Sequence, residues 1–413
     1  MQERRGDIPV SIRLNPLKGV GLDFDVEDPV RWSPHGFYLE SRPSFTLDPL
    51  FHAGAYYVQD ASAMFAGYMF RAAARMLHAE GAALTVLDLC AAPGGKTTDI
   101  LASLRELCGS SFVLFSNEVI KSRTIPLADN VARWGEPAVV VTSSDAAVYG
   151  SLKGFFDIIV TDVPCSGEGM FRKSGNAVRM WSEDNVRLCA ARQRRIVADV
   201  WGALSDGGFL LYSTCTLNSL ENDDNVQWAC EELGAEAVIL PDPGFEGPKP
   251  TKYGFLLEPG EVRGEGQYCA LLRKKGSFVA SVSNFSDGVQ FFDRKGEIYA
   301  VPDFPASRLN AAGHGLNVLG AGVHAFSTKG KDRIPCADLA LSCLLEEDSF
   351  DRLELSREDA LKFLHRDSLV LNDAPLGYIV VTYKGLPLGF VKNMSNRANN
   401  MHPLSRRILM NVV

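Results

Sequence analysis

The chain has 413 residues, 46% hydrophobic and 22% charged, with a formal net charge of −8 and a mean hydropathy of −0.02. That length exceeds one ordinary core and predicts two or three domains, and no uncharged apolar run is long enough to span a bilayer. Nine cysteines without a C-x-x-C pair and seven histidines without an H-x-x-x-H pair argue against a disulfide framework, a structural zinc motif and metal chemistry in general. The opening "MQERRGDIPV" lacks the apolar centre of a signal peptide, so a cytoplasmic location is expected.

Between residues 84 and 275 short apolar runs alternate with helical patterns. "LTVLDL" (84–89), "SFVLFS" (111–116), "AVVVTS" (138–143), "FDIIVTD" (156–162) and "GFLLYST" (208–214) read as strands. "KTTDILASLREL" and "SEDNVRLCAARQRRIVADVWGAL" read as helices, the second with Ser182 as N-cap and Glu183 and Asp184 in its first turn. Alternating strands and helices predict an α/β fold, a parallel doubly wound sheet with ligands at the carboxyl ends of its strands.

Residues 276–345 are less periodic and rich in Gly, Ser and Ala, with strand-like "VQFFDRKGEIYAV"; they read as a linker into a small mixed module. "LSREDALKFLHRDSL" then reads as a helix with Ala360, Leu361 and Leu364 on one apolar side, and "GYIVVTYKGLPLGFVK" as a hairpin turning at Lys384-Gly385. From Ala374 onward Lys384, Lys392, Arg397, Arg406 and Arg407 face no acidic residue in the sequence. A basic module on an acidic chain suits a selective nucleic-acid binder, and a solvated basic face is the plainer alternative.

The strand ends carry the chemistry. "LDLCAAPGGKTTD" (87–99) resembles a phosphate loop, but a Walker A motif needs glycine where Cys90 stands. A strand, a Gly94-Gly95 turn and a helix still make a nucleotide-type site, unless this is a plain strand-to-helix turn. The next strand ends in "SNEV", where Glu118 could accept from both hydroxyls of a ribose, and the third in "SSDAA", where Asp145 could hold an adenine amino group. Either acid alone could simply cap a helix; three ligand-type strand ends in succession favour an adenosyl ligand. The fourth and fifth strands end in "TDVPCSGEGM" and "YSTCT", which place Cys165 and Cys215 at neighbouring strand ends. A single buried cysteine is usually inert; a matched pair flanked by Pro, Ser and Thr suggests one pocket.

With "DLCAAPGGKT", "SNEVIKSR", "TDVPCSGEGMFRK" and "LLYSTCTLNSLEND" assembled, the chain resembles the Nol/Nop/Sun family of S-adenosylmethionine-dependent RNA 5-methylcytosine methyltransferases, in a bacterial branch. "PVSIRLNPLKG", "GFYLE", "HAGAYYVQDASAM", "GQYCALLRK" and the basic C-terminal module extend the resemblance over nearly the whole chain. It implies a Rossmann-like class I methyltransferase fold with a small N-terminal segment and a C-terminal α+β, PUA-like RNA-binding module. The implied division is 1–80 for N-terminal RNA recognition, 81–275 for the methyltransferase domain, 276–345 for linker and mixed module, and 346–413 for the PUA-like domain. Only about eight residues precede "PVSIRLNP", where the branch usually carries several helices, so either a shortened N-terminus or a late start of the chain is expected.

The resemblance further implies that S-adenosylmethionine is held by Cys90, Ala91, Ala92, Pro93, Gly94, Gly95, Lys96, Glu118, Asp145 and Asp162. It makes Cys215 the nucleophile, gives Cys165 a part in product release, and places Asp162 at the base as a general acid. Cytosine carbon-5 is a poor nucleophile; adding a thiolate at carbon-6 converts the ring to an enamine, which explains the need for one thiol. Expelling that thiol and removing the carbon-5 proton explain a second group. The target base should be unstacked, and Arg172 and Lys173 could hold phosphate near the pocket. The expected substrate is RNA, 16S ribosomal RNA foremost, bound by a monomer. The alternatives are transfer RNA, or a non-catalytic RNA-binding protein of the same fold. An exocyclic amino methyltransferase would want an Asp/Asn-Pro-Pro-aromatic motif where "DVPCSG" stands, and a P-loop NTPase fails at Cys90.

Overall fold

The computed structural model describes residues 9–77, 82–171, 178–179, 181–282, 288–371, 374–395 and 397–412. Its centre is a sheet in which the strands Leu204–Thr214, Phe156–Asp162, Ala82–Asp88, Phe112–Asn117 and Val139–Thr142 lie side by side and parallel. Their apolar, β-branched runs are buried on both faces because helices cover both, as parallel sheets require. Each fully buried Leu, Ile or Phe contributes about 1.5–3 kcal/mol.

The chain order reverses between Ala82–Asp88 and Phe156–Asp162, which opens a crevice at their carboxyl ends. Gly94, left-handed at φ +111°, turns the first of these strands into the helix Gly95–Cys108. The helix Glu183–Trp201 starts where Ser182 accepts from the Asn185 N–H, and Glu183 and Asp184 complement its dipole.

The expectation of a parallel sheet needs one correction. Gln267–Arg273 runs antiparallel along Leu204–Thr214, and Val318–Ala321 antiparallel along Val139–Thr142, so the sheet is mixed. The second pairing also means that the segment read as a linker donates an edge strand to the central sheet. Elsewhere that segment folds into four antiparallel strands, Val289–Arg294, Glu297–Pro302, Val323–Lys329 and Asp332–Pro335.

The C-terminal sheet joins Asp351–Glu354, Gly377–Tyr383, Leu386–Asn393 and Ala398–Asn400. Its hairpin turns at Lys384 and Gly385, both at positive φ, and the helix Arg357–His365 buries Ala360, Leu361, Phe363 and Leu364. It shares one core with the N-terminal segment: Ile12, Leu39 and Leu50 pack in the same cluster as Phe363, Ile379 and Val391. The basic tail is less free than its sequence suggests. Arg406 pairs with Asp129 and Asp338, and Lys384 with Asp23, while Arg397 is exposed. Among the described residues no helix is long and apolar enough to cross a membrane.

Candidate functional site

The crevice gathers most of the residues expected at the site. Leu89 to Gly95 form the turn after the first central strand, with Ala91, Ala92 and Gly94 buried, Cys90 half-buried and Pro93 exposed. Burial, reinforced by Asp88, Asp162 and Glu118, pushes the Cys90 thiol far above the ordinary range, so it packs rather than reacts. The turn is fixed from below by the N-terminal strand Val10–Leu14, whose fully buried Arg13 donates to Gly95 O at 3.1 Å, Thr98 Oγ1 at 2.5 Å and Gln59 Oε1 at 3.0 Å.

Lys96 reaches across the switch point to Asp162, Nζ to Oδ2 2.8 Å. Burial works against the ammonium, but Asp162 more than offsets it, so the Lys96 pKa lies above its ordinary value. The other Asp162 oxygen accepts from Ser213 Oγ at 2.9 Å. Both carboxylate oxygens therefore already hold donors.

Glu118 is buried at the end of Phe112–Asn117. Its Oε1 accepts from the Ile120 N–H at 2.9 Å; its Oε2 lies 3.2 Å from Arg123 Nη1 but accepts no hydrogen bond. Asp88 Oδ1 is likewise buried without a donor, and burial lifts the Asp88 pKa to about 7. Asp145 caps the short helix Ala146–Tyr149 through the Ala147 N–H at 3.0 Å and is otherwise exposed. Buried acceptors without donors beside a glycine turn fit a ligand carrying ribose hydroxyls, an ammonium and a sulfonium, which is what S-adenosylmethionine offers.

The two expected thiols meet. Cys165 Sγ and Cys215 Sγ are 3.0 Å apart, beyond the ends of adjacent parallel strands, and both are half-buried. A hydrogen bond from the Cys165 thiol lowers the Cys215 pKa; burial and Asp162 oppose this, and Lys96 supports it. The same bond, with burial, raises the Cys165 pKa well above its ordinary value. Both shifts therefore run the same way, favouring anionic character on Cys215 over Cys165.

Three groups at the site, Asn117, Glu221 and Glu168, are not singled out by the sequence. The Asn117 side chain clamps the strand tips, donating to Leu89 O and Ser144 O and accepting from Ser144 N, Thr142 Oγ1 and Tyr149 Oη, all at 2.9–3.1 Å. Glu221, fully buried, accepts from the Ser166 N–H at 3.0 Å, Gln193 Nε2 at 2.6 Å and Asn218 Nδ2 at 2.9 Å, tying the Cys165 loop to the Cys215 loop. Glu168 adds a second tie through the Leu217 N–H at 2.9 Å. The available signal was an acid within a polar run just after each motif residue, but side-chain partners so distant in sequence leave no spacing to read. Arg172 and Lys173 lie outside the described residues.

Comparisons with known proteins agree with this architecture. Residues 75–273 match the model of the 16S rRNA methyltransferase RsmB/F, 350–408 that of the methyltransferase RsmF PUA domain, and 2–61 that of the N-terminal domain of 16S rRNA methyltransferase RsmF. The ribosomal RNA small subunit methyltransferase F of Shewanella sp. (strain W3-18-1) is 30% identical over 95% of this chain and 89% of its own length. That of Pectobacterium atrosepticum is 35% identical over 65% of this chain, a match spanning 57% of the relative. Among solved structures, a methyltransferase homologue from Pyrococcus horikoshii is 27% identical with a TM-score of 0.53, covering 65% of this chain and 87% of that one. NSun6 from the same organism, determined with SFG, shares the fold at 19% identity and a TM-score of 0.51, covering 65% of this chain and 91% of that one. The chain therefore belongs to the Nol/Nop/Sun family of S-adenosylmethionine-dependent methyltransferases, in its RsmF branch.

Proposed function

We propose that the protein methylates carbon-5 of a cytosine in small-subunit ribosomal RNA through a covalent adduct between Cys215 and ring carbon-6. The observation that carries this reading is the 3.0 Å approach of Cys165 Sγ to Cys215 Sγ beside the Lys96–Asp162 pair. The names of the relatives, ribosomal RNA small subunit methyltransferase F, supply the substrate.

In this reading Glu118, Asp145 and the 90–96 turn hold S-adenosylmethionine, which when bound supplies an electrophilic methyl group. Cys215, its thiolate favoured by the Cys165 S–H donor and by Lys96, forms a bond to carbon-6. The displaced π electrons make carbon-5 nucleophilic, and nitrogen-3 takes up a proton. Asp162 accepts from the exocyclic amine, and the Lys96–Asp162 pair supplies the proton, because both Asp162 oxygens already act as acceptors. This gives the general-acid role to the pair rather than to Asp162 alone. Once carbon-5 is substituted, its proton leaves to a water held by the still-protonated Cys165 and passes to solvent. The C–H electrons re-form the carbon-5–carbon-6 double bond, Cys215 departs as thiolate, and nitrogen-3 returns its proton to the Lys96–Asp162 pair. The base must stand clear of its stack to reach a thiol set among strand-end loops.

RNA carrying 5-fluorocytosine at the target tests this directly, since fluorine cannot leave as a cation. A denaturation-resistant protein–RNA adduct is expected with the methyl donor present. Cys215→Ser should abolish it, and Cys165→Ser should keep it. Loss of the adduct in Cys165→Ser with retention in Cys215→Ser would reverse the two roles.

A further inference from the structure

The middle module carries a cluster for which the proposed reaction has no use. Glu297 opens the strand Glu297–Pro302, His324 lies in Val323–Lys329, and Cys336 follows Asp332–Pro335. The three strands are neighbours, with Glu297 opposite Ser327 and Tyr299 opposite His324, and the Cys336 N–H donates to Ala325 O at 2.9 Å. The carboxylate, imidazole and thiol atoms all lie within 4.8 Å of one another.

His324 Nε2 is 2.6 Å from Glu297 Oε2 and 3.5 Å from Cys336 Sγ. One ring nitrogen carries at most one proton, yet a carboxylate and a thiol sulfur both approach it, the sulfur also lying 3.4 Å from Ser327 Oγ and 3.9 Å from Ile334 O. Three lone-pair donors converging on one point are better matched by a cation. Bonds of about 2.0 Å to nitrogen and oxygen and about 2.3 Å to sulfur, at tetrahedral angles, put nitrogen and sulfur about 3.6 Å apart. The observed 3.5 Å needs almost no adjustment. Nitrogen and oxygen would open from 2.6 Å, a movement available to the Glu297 side chain, which is 46% exposed.

The surroundings support the ligands. Ser327 Oγ donates to Glu297 Oε2 at 2.6 Å, and Tyr299 stacks on the His324 ring with centroids 5.0 Å apart, which fixes its plane. A carboxylate, a thiolate and a neutral imidazole sum to −2, which balances a divalent ion. A cleft of about 170 Å³ lined by His324, Tyr299 and Asp338 reaches the imidazole of this cluster. Sequence spacing shows no metal motif here because each ligand comes from a different strand.

We propose that Glu297, His324 and Cys336 bind a borderline divalent cation, zinc foremost, as a three-ligand site whose coordination water completes. Cys336 is also the N-cap position of the helix Ala337–Leu341, whose Asp338 pairs with Arg406 Nη1 at 2.7 Å. The ion would thus brace the middle module where the C-terminal module attaches. This inference does not depend on the methyl-transfer reading.

The test uses the full chain, stripped with chelator and then given zinc. Cys165 and Cys215 could also hold zinc, so the readout must be cysteine by cysteine, as alkylation rates mapped by mass spectrometry. We expect zinc to slow alkylation of Cys336 at least tenfold, cobalt to give the visible spectrum of a tetrahedral thiolate site, and zinc to raise the wild-type melting temperature. Glu297→Gln and His324→Gln should each abolish the protection of Cys336. Equal alkylation of Cys336 with and without zinc, or protection confined to Cys165 and Cys215, would overturn the proposal on the wild-type protein alone, whatever the variants do.

Discussion

The strand-end rim of the central sheet has two halves built on opposite principles. At the tips of Ala82–Asp88, Phe112–Asn117 and Val139–Thr142, acceptors are less fully used: Asp88 Oδ1 is buried without a donor, Glu118 Oε2 has only the 3.2 Å ion pair with Arg123, and Asp145 stands exposed. At the tips of Phe156–Asp162 and Leu204–Thr214, polar groups are used up. Glu221 takes three donors, Glu168 takes the Leu217 N–H, and Ser166 meets Thr216 at 3.1 Å. A buried acceptor without a partner costs about 1–3 kcal/mol, which a ligand can recover. A saturated network instead fixes its atoms before any ligand arrives, which is the condition for placing a nucleophile accurately. In the proposed function the first half is completed by the cofactor, and the second holds two sulfurs still.

The sharpest way to break this contrast is Glu221→Ala. Removing a buried carboxylate that serves three donors should destabilise the fold by about 3 kcal/mol or more and lower kcat on the order of a hundredfold. KM for RNA should stay nearly constant, because the residue positions the loops and is not assigned a contact with the substrate. Glu221→Gln should retain more of both. Thermal melting and steady-state kinetics decide it: an Ala variant that melts and turns over like the wild type means this network does not organise the thiols.

Next comes the polarisation of the pair, read from the pH profile of Cys215 alkylation. The donated Cys165 proton favours the Cys215 thiolate more than Lys96 does. Cys165→Ala should therefore move the profile to higher pH, and Lys96→Met should move it the same way by less. A Cys165→Ala profile at lower pH would mean the proton resides on Cys215 in the resting protein.

On the cofactor half, Glu118→Gln should weaken S-adenosylmethionine binding by roughly thirtyfold, the loss of about 2 kcal/mol expected for a charge-assisted hydrogen bond to a buried acceptor. The Cys215 alkylation profile should not change. If it does, the two halves are coupled and the division between them is wrong.

The same two principles explain what could be read from the chain. The strands were legible because parallel strands buried on both faces are continuous apolar runs, and the glycine turn, Glu118, Asp145 and both cysteines sit at their ends by topology. The left-handed turn at Lys384-Gly385 was legible for the same local reason. The antiparallel edge strand Val318–Ala321 was not, since its partner lies far back in sequence and half its residues are Gly or Ala. Nor was the core shared by Ile12 and Phe363, or the capture of Arg406 by Asp129 and Asp338, which turns a residue read as basic surface into an internal tie. Glu221 escaped for a further reason: its role lies entirely in partners such as Gln193 and Ser166, and an isolated glutamate after a polar run predicts only a solvated loop.

The smallest expected effect probes whether burial sets what each acceptor contributes. Asp145 already uses one oxygen to cap the Ala147 N–H at 3.0 Å, and its side chain is exposed. Asn keeps the cap with its one carbonyl oxygen and puts an NH2 where the second carboxylate oxygen stood, so Asp145→Asn should leave the melting temperature unchanged and, at a position where water competes, weaken cofactor binding by less than about tenfold. Asp145→Ala loses the cap as well, about 1 kcal/mol of stability, and should bind more weakly than the Asn variant. Water competes for an exposed acceptor and not for a buried one, which is why the loss should fall below that of Glu118→Gln. Calorimetry on the three variants decides the point. If Asp145→Asn loses as much affinity as Glu118→Gln, the exposed end of the crevice holds the ligand as firmly as the buried end, and the burial of Glu118 is not what draws the cofactor in.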